Sequence, residues 1–128
     1  HWIAAPPEAT LLDAAHLMRL ARVRHLPVAE GGVLLGLLDH GELLRASLEE
    51  VQRAGPGARV VSELMDRFPP SALPDDSVHV AAARMLAAGI ACIPVVAAPP
   101  PATPRLVGLV VESDLLRRVY AVEGSLAS

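Results

Sequence analysis

The chain has 128 residues, 52% hydrophobic but only 2% aromatic, with a net charge of −3; that is one ordinary domain or two very small ones, with a core of Leu, Val, Ile, Ala and Met. An acidic chain with so few rings lacks both the basic footprint and the stacking surface of a nucleic-acid binder. Its apolar runs are broken by Pro, Arg or Glu well before 18 residues, so no membrane insertion is expected.

The chain begins His1-Trp2 rather than with Met and shows no signal-peptide pattern, which reads as a truncated start of a cytoplasmic protein. A short extended segment is expected near Ile3 to Pro6. Thr10 then offers an N-cap hydroxyl, and Leu11, Ala14, Ala15 and Met18 follow at i, i+3, i+4 and i+7, one apolar stripe of a helix. Arg22 follows where a glycine could end that helix, so another terminating device is expected. Leu26 to Ala29 and Val33 to Leu38 are two short strands, joined through Glu30-Gly31-Gly32 as a hairpin. A helix is expected from Gly41 to Leu48.

Ala54-Gly55-Pro56-Gly57 breaks the chain. Val60 to Met65 reads as an extended entry with one helical turn, and Pro70 to Leu73 as a second extended segment. Ser77 is the next N-cap, ahead of Val78, Ala81, Ala82 and Met85 in the same helical stripe, which Gly89 can end in the left-handed conformation. Strands follow at Ile93 to Ala97 and Leu106 to Val111, separated by a Pro-rich loop, and then a helix from Ser113 to Val122. The single cysteine, Cys92, excludes an intramolecular disulfide and gives no sign of secretion; it reads as a small buried hydrophobe rather than a reactive thiol.

The order β-α-β-β-α thus occurs twice, and the residues repeat with it. Thr10, Ala14-Ala15 and Met18 recur as Ser77, Ala81-Ala82 and Met85, an offset of 77 − 10 = 67, as do Leu26-Pro27-Val28 and Ile93-Pro94-Val95. Beyond the strand the offset grows to 108 − 36 = 72, relating Leu35-Gly36-Leu37 to Val107-Gly108-Leu109 and Glu42-Leu43-Leu44-Arg45 to Asp114-Leu115-Leu116-Arg117. The five extra residues fall between Ala97 and Arg105, where a surface loop absorbs an insertion. The expected organisation is a first repeat over 1–53, a linker over 54–59 and a second repeat over 60–128, an α/β (α+β) fold. The Val60 to Met65 leader has no counterpart in the first repeat and is expected upstream of His1. About 60 residues bury too little surface to stand alone, so the two sheets are expected to pack face to face with pseudo-two-fold symmetry.

Val61-Ser62-Glu63-Leu64-Met65, the helix Ser77 to Met85, Ile93-Pro94-Val95-Val96, and Leu106-Val107-Gly108 through Asp114-Leu115-Leu116 together resemble the cystathionine β-synthase (CBS) domain family. Arg24-His25-Leu26-Pro27-Val28 is the first repeat's version of the strand motif. The resemblance covers nearly the whole chain. It implies a tandem pair of CBS domains (a Bateman module): a non-catalytic regulatory unit, commonly a homodimer, whose clefts take AMP, ATP or S-adenosylmethionine. Such a module requires no cofactor and regulates an attached or partner protein.

In that family a Gly-apolar-apolar-Ser/Thr-x-x-Asp motif lines the cleft, its Asp accepting both ribose hydroxyls, as an ionised carboxylate can. Asp114 matches in the second repeat, but Val111 stands where a phosphate donor belongs. In the first repeat Glu42 replaces the Asp, and Asp39 sets a negative charge where phosphate would lie. Those departures favour a nucleoside or a cationic adenosyl ligand. Glu42 and Asp114 also fall at helix N-termini, where carboxylates are stabilising whatever the function. The resemblance puts Arg24 and His25 at the cleft edge, suited to an anion or else an ordinary solvated pair. Pro27, Pro94 and backbone groups near Ala5, Ala72, His25 and Cys92 complete the implied adenine-reading wall. Asp39, His40 and Glu42 are the one cluster that suits a divalent ion, but with no second cluster and no nucleophile–base pair an enzyme is not expected. The rival reading is a dimerisation or docking module with degenerate nucleotide sites; on the last helix Leu115, Leu116, Val119 and Tyr120, beside Arg117-Arg118, suit a partner copy or the helix's own sheet equally.

Overall fold

The computed structural model describes residues 3–53 and 59–120, with the side chains of 118–120 left aside. The elements run α1 (Leu11–Ala21), β1 (His25–Glu30), β2 (Val33–Asp39), α2 (His40–Gln52), a 3-10 turn (Val61–Glu63), α3 (Val78–Ala88), β3 (Cys92–Val96), β4 (Leu106–Val111) and α4 (Glu112–Tyr120). This is the duplicated α/β order expected; the helix foreseen to Val122 reaches Tyr120, and Val122 lies outside the described residues.

The chain clusters into two compact units. Of the described residues, the N-terminal unit comprises Ile3–Gly31 and those from Leu35 to Pro69, and the C-terminal unit holds Gly32–Leu34 and those from Pro70 to Tyr120. These packed units do not follow the repeats. The segment from Val60 to Pro69, which the pattern assigns to the second repeat, folds into the N-terminal unit. Val61 is fully buried there, its amide donates to Ala9 O at 2.9 Å, and Leu37 and Asp66 exchange a bridge, each N–H···O at 2.9 Å.

In the N-terminal unit β1 pairs with β2 through the Gly31-Gly32 turn, both glycines at positive φ. Ala5 adds a parallel bridge to Val28. Leu11, Ala14 and Met18 of α1 and Leu43 and Ala46 of α2 pack on Leu26, Val28 and Leu38, with Val61 and Met65 joining the cluster. The C-terminal unit repeats this: β3 pairs antiparallel with β4, Ala72 bridges Val95 in parallel, and Val78, Ala81 and Met85 of α3 and Leu115 of α4 pack on Ile93, Val95 and Val110.

Helix ends follow their residues closely. Thr10 Oγ1 accepts from Asp13 N at 3.1 Å and Ser77 Oγ from Val80 N at 3.2 Å, each satisfying an amide of the first turn. Gly89 closes α3 at φ 67°, as expected. The expectation of a different device for α1 is corrected: Arg22 takes the same left-handed conformation at φ 57°, and Val23 N donates to Met18 O just as Ile90 N does to Met85 O. An arginine tolerates the strain because these bonds satisfy carbonyls that the helix would otherwise leave open.

Candidate functional site

Each unit gathers its candidate residues by the same backbone hydrogen bonds. Ala5 N donates to Pro27 O at 2.9 Å and Ala29 N to Ala5 O at 2.9 Å; Ala72 N donates to Pro94 O and Val96 N to Ala72 O, also at 2.9 Å. One end of this ladder is closed in the same way twice. His40 N donates to Arg24 O at 2.8 Å, and Glu112 N donates to Ala91 O at 2.9 Å. The residues preceding β1 and β3 are thereby tied to the first turns of α2 and α4. All the sequence-derived candidates fall on these two strips: Ala5, Arg24, His25, Pro27, Asp39 and Glu42 in the N-terminal unit, and Ala72, Cys92, Pro94, Val111 and Asp114 in the C-terminal one.

The side chains differ sharply between the strips. His25 is 9% exposed and Arg24 is exposed, so of the two only Arg24 lies in solvent. His25 Nε2 lies 3.2 Å from Asp39 Oδ1, while Asp39 Oδ2 accepts from Glu42 N at 3.2 Å and caps α2. Burial holds the His25 pKa below its ordinary value, against the opposing pull of Asp39, and Arg24 lowers it further. The imidazole Nε2 faces the carboxylate, and Nδ1 is buried without a hydrogen-bond partner among the described residues. Glu42 turns its carboxylate to Arg45 at 3.0 Å. Asp39 and Glu42 are thus engaged with different partners, and among the described residues no group of three or more His, Cys, Asp or Glu is placed to hold a metal ion.

In the C-terminal unit Cys92 is buried in β3 opposite Val111, and burial pushes its thiol up to about 12, so it stays protonated. Val111 gives α4 no side-chain cap. Asp114 reaches back instead, one oxygen accepting from Val111 N at 3.4 Å and the other contacting Arg117. The ribose candidate of this strip is therefore engaged within its own helix. Arg117 is brought to Asp114 by its i, i+3 spacing along α4, a signal present in the sequence. Of that face, Leu115 is buried and Leu116 is 54% exposed, while the side chains of Val119 and Tyr120 lie outside the described residues.

A cavity of about 290 Å³ adjoins the N-terminal strip, lined by Ala15, Met18, Arg19, Val23, Arg24 and His40. No helix of the described residues is long and apolar enough to cross a membrane.

The family described as CBS domain matches residues 2–49 and 61–121. Staphylococcus aureus OpuCA is similar in structure, 26% identical, with 94% of this chain and 93% of that one covered and a TM-score of 0.68. The CBS domain pair of protein MJ0100, in complex with 5′-methylthioadenosine and S-adenosyl-L-methionine, is 24% identical over 94% of this chain and 89% of its own, with a TM-score of 0.75. CBSX2 in complex with AMP is 23% identical over 95% of this chain and 90% of its own, with a TM-score of 0.79. These last two likenesses concern the fold alone. No curated protein matches the chain.

Proposed function

The chain belongs to the CBS domain family, carrying two copies of the domain, and from that premise we propose that it is a non-catalytic regulatory module that binds an adenosine-containing small molecule along its strips. The observation that carries this reading is the duplicated closure, His40 N to Arg24 O and Glu112 N to Ala91 O. It holds the backbone before β1 and β3 beside the first turn of the following helix, so that a base-reading edge and a ribose-reading carboxylate lie on one wall. Glu42 and Asp114 are the proposed ribose acceptors, with the backbone near Ala5, His25, Ala72 and Cys92 facing the base. The MJ0100 pair and CBSX2, which bind adenosyl compounds, support the ligand class. The attached or partner protein that the module regulates is a cytoplasmic one in this proposal.

A second reading has its own observation. Leu44, Leu48 and Val51 of α2 are 53%, 59% and 82% exposed at i, i+4 and i+7, an apolar stripe that suits a second copy of the chain. Ligand-independent dimerisation would use that face and leave the strips idle.

Thermal unfolding with adenosine, AMP, ATP and S-adenosylmethionine separates the two. A ligand at about 100 times its dissociation constant adds about 2.7 kcal/mol of stability. At least one of the four is expected to do so and to lose its effect in Asp114→Ala or Glu42→Ala. No shift with any of them, together with a concentration-dependent melting temperature, would replace the sensor with a dimerisation module.

A further inference from the structure

We propose that Arg84 is a positioning residue of the C-terminal strip, holding the base-reading segment 71–73 in place from α3. The inference rests on the adenosine-sensor reading and deepens it, because it names a residue off the strip that sets the affinity of one strip and not the other. Ala72 commits its own N–H and C=O to β3, donating to Pro94 O and accepting from Val96 N, both at 2.9 Å. In an extended segment the flanking groups point the opposite way, so Ser71 C=O and Leu73 N–H face away from that strand. One cluster closes both. Arg84 Nη1 donates to Ser71 O at 2.9 Å and to Asp76 Oδ2 at 2.8 Å, and the same Asp76 oxygen accepts from Leu73 N at 2.7 Å. A guanidinium nitrogen can serve a carbonyl and a carboxylate together because it carries more than one N–H, and each of these bonds is charge-assisted. The Asp76 side chain is only 17% exposed, so water competes weakly for the clamp.

The N-terminal unit shows that the fold does not require this clamp. At the repeat offset, 84 − 17 = 67, Ser71, Leu73, Asp76 and Arg84 become Ala4, Pro6, Ala9 and Leu17. None of these carries the polar group. Pro6 has no N–H, and Ala4 O accepts no hydrogen bond among the described residues. Ala5 nevertheless bridges Val28 as Ala72 bridges Val95. Ala9 N also closes the turn onto Pro6 O at 3.1 Å, as Asp76 N does onto Leu73 O at 3.0 Å. Bridge and turn therefore form either way, and the clamp adds rigidity to a segment already in place. Rigidity matters to a ligand, because a wall that is ordered beforehand loses less freedom when it is bound. Two strips with one backbone frame are thus prepared to different degrees, and the difference lies on α3 at Arg84.

The test titrates the whole chain with adenosine, AMP, ATP and S-adenosylmethionine and follows two backbone amides by NMR, Cys92 in the C-terminal strip and His25 in the N-terminal one. It is repeated with Arg84→Leu, which installs the residue type that the N-terminal unit carries at Leu17 and is expected to fold, as far-UV circular dichroism checks. For a compound that binds, the dissociation constant read at Cys92 should rise about tenfold in Arg84→Leu, while the constant read at His25 stays within about twofold of the parent. Asp76→Asn loosens the clamp from its other end with little change of shape. It should move the Cys92 constant in the same direction by a smaller factor, and it carries the test if Arg84→Leu does not fold. A merely structural clamp would lower the melting temperature and move both constants together or neither. A Cys92 constant unchanged in both variants, or binding that perturbs His25 alone, refutes the positioning role while the sensor survives. Binding of none of the four compounds removes the sensor and the positioning role together.

Discussion

The two repeats make the same backbone hydrogen bonds and use them differently. In the N-terminal unit the residue before β1 is followed by a buried imidazole that faces the carboxylate capping α2. In the C-terminal unit the equivalent places hold an inert thiol and a valine, and Asp114 must cap its own helix from within. One backbone frame therefore supports a polar, titratable strip and an apolar one. The frame is duplicated because main-chain hydrogen bonds do not depend on side-chain identity. The chemistry diverges because the side chains at these places are not needed to make the shared backbone hydrogen bonds.

The same contrast appears at a pair of glycines. Gly36 and Gly108 are equivalent in sequence, yet a Cβ on Gly36 would meet Asp66 O and Met65 Sδ at 2.7 Å, while one on Gly108 would meet only Val95 at 3.7 Å. The segment after the linker crosses close over β2 and needs the missing side chain there. Gly36→Ala is expected to destabilise the protein by about 2–3 kcal/mol by overpacking against backbone. Gly108→Ala should lie within about 1 kcal/mol of the parent. Urea unfolding of both variants checks this, and equal costs would break the asymmetry.

The titratable strip has a pH signature that the apolar one lacks. The His25 pKa is lowered below the ordinary 6.5 in the fold, by burial first, so the unfolded chain takes up a proton that the folded unit resists. Stability from the neutral imidazole is complete above pH 6.5 and is lost as the pH falls from there through the lower folded-state value. The slope is at most about 1.4 kcal/mol per pH unit for one proton. His25→Asn should flatten it, measured by chemical denaturation between pH 7 and 5. A parent curve already flat would show that His25 takes its proton as readily in the fold as outside it. Cys92, at about 12, contributes nothing in that range.

The smallest expected effect concerns the helix ends. Arg22 and Gly89 share the left-handed C-cap, but only the glycine adopts it without strain. Arg22→Gly is expected to stabilise by about 0.5–1 kcal/mol and Gly89→Ala to destabilise by about 1 kcal/mol. Nothing lies within 4 Å of a Cβ on Gly89, so that cost is conformational and not steric. Differential scanning calorimetry of the pair would show opposite shifts; shifts of one sign would mean the two caps are not equivalent.

The sequence by itself determined the repeat, its element order and the helix starts. Thr10 and Ser77 cap the turns they precede, and the i, i+3, i+4, i+7 stripes bury Leu11, Ala14 and Met18 and their counterparts. Those features are local, decided by residues within one or two turns of each other. Only the tertiary structure decided where Val60 to Pro69 packs, because the burial of Val61 and the Leu37–Asp66 bridge join residues far apart in the chain. It likewise turned Asp39 toward His25 and brought Arg19 of α1 to the same cavity as Arg24 and His40. Which oxygen faces which nitrogen depends on rotamers and on neighbouring elements, and neither is written in spacing along a single strand or helix.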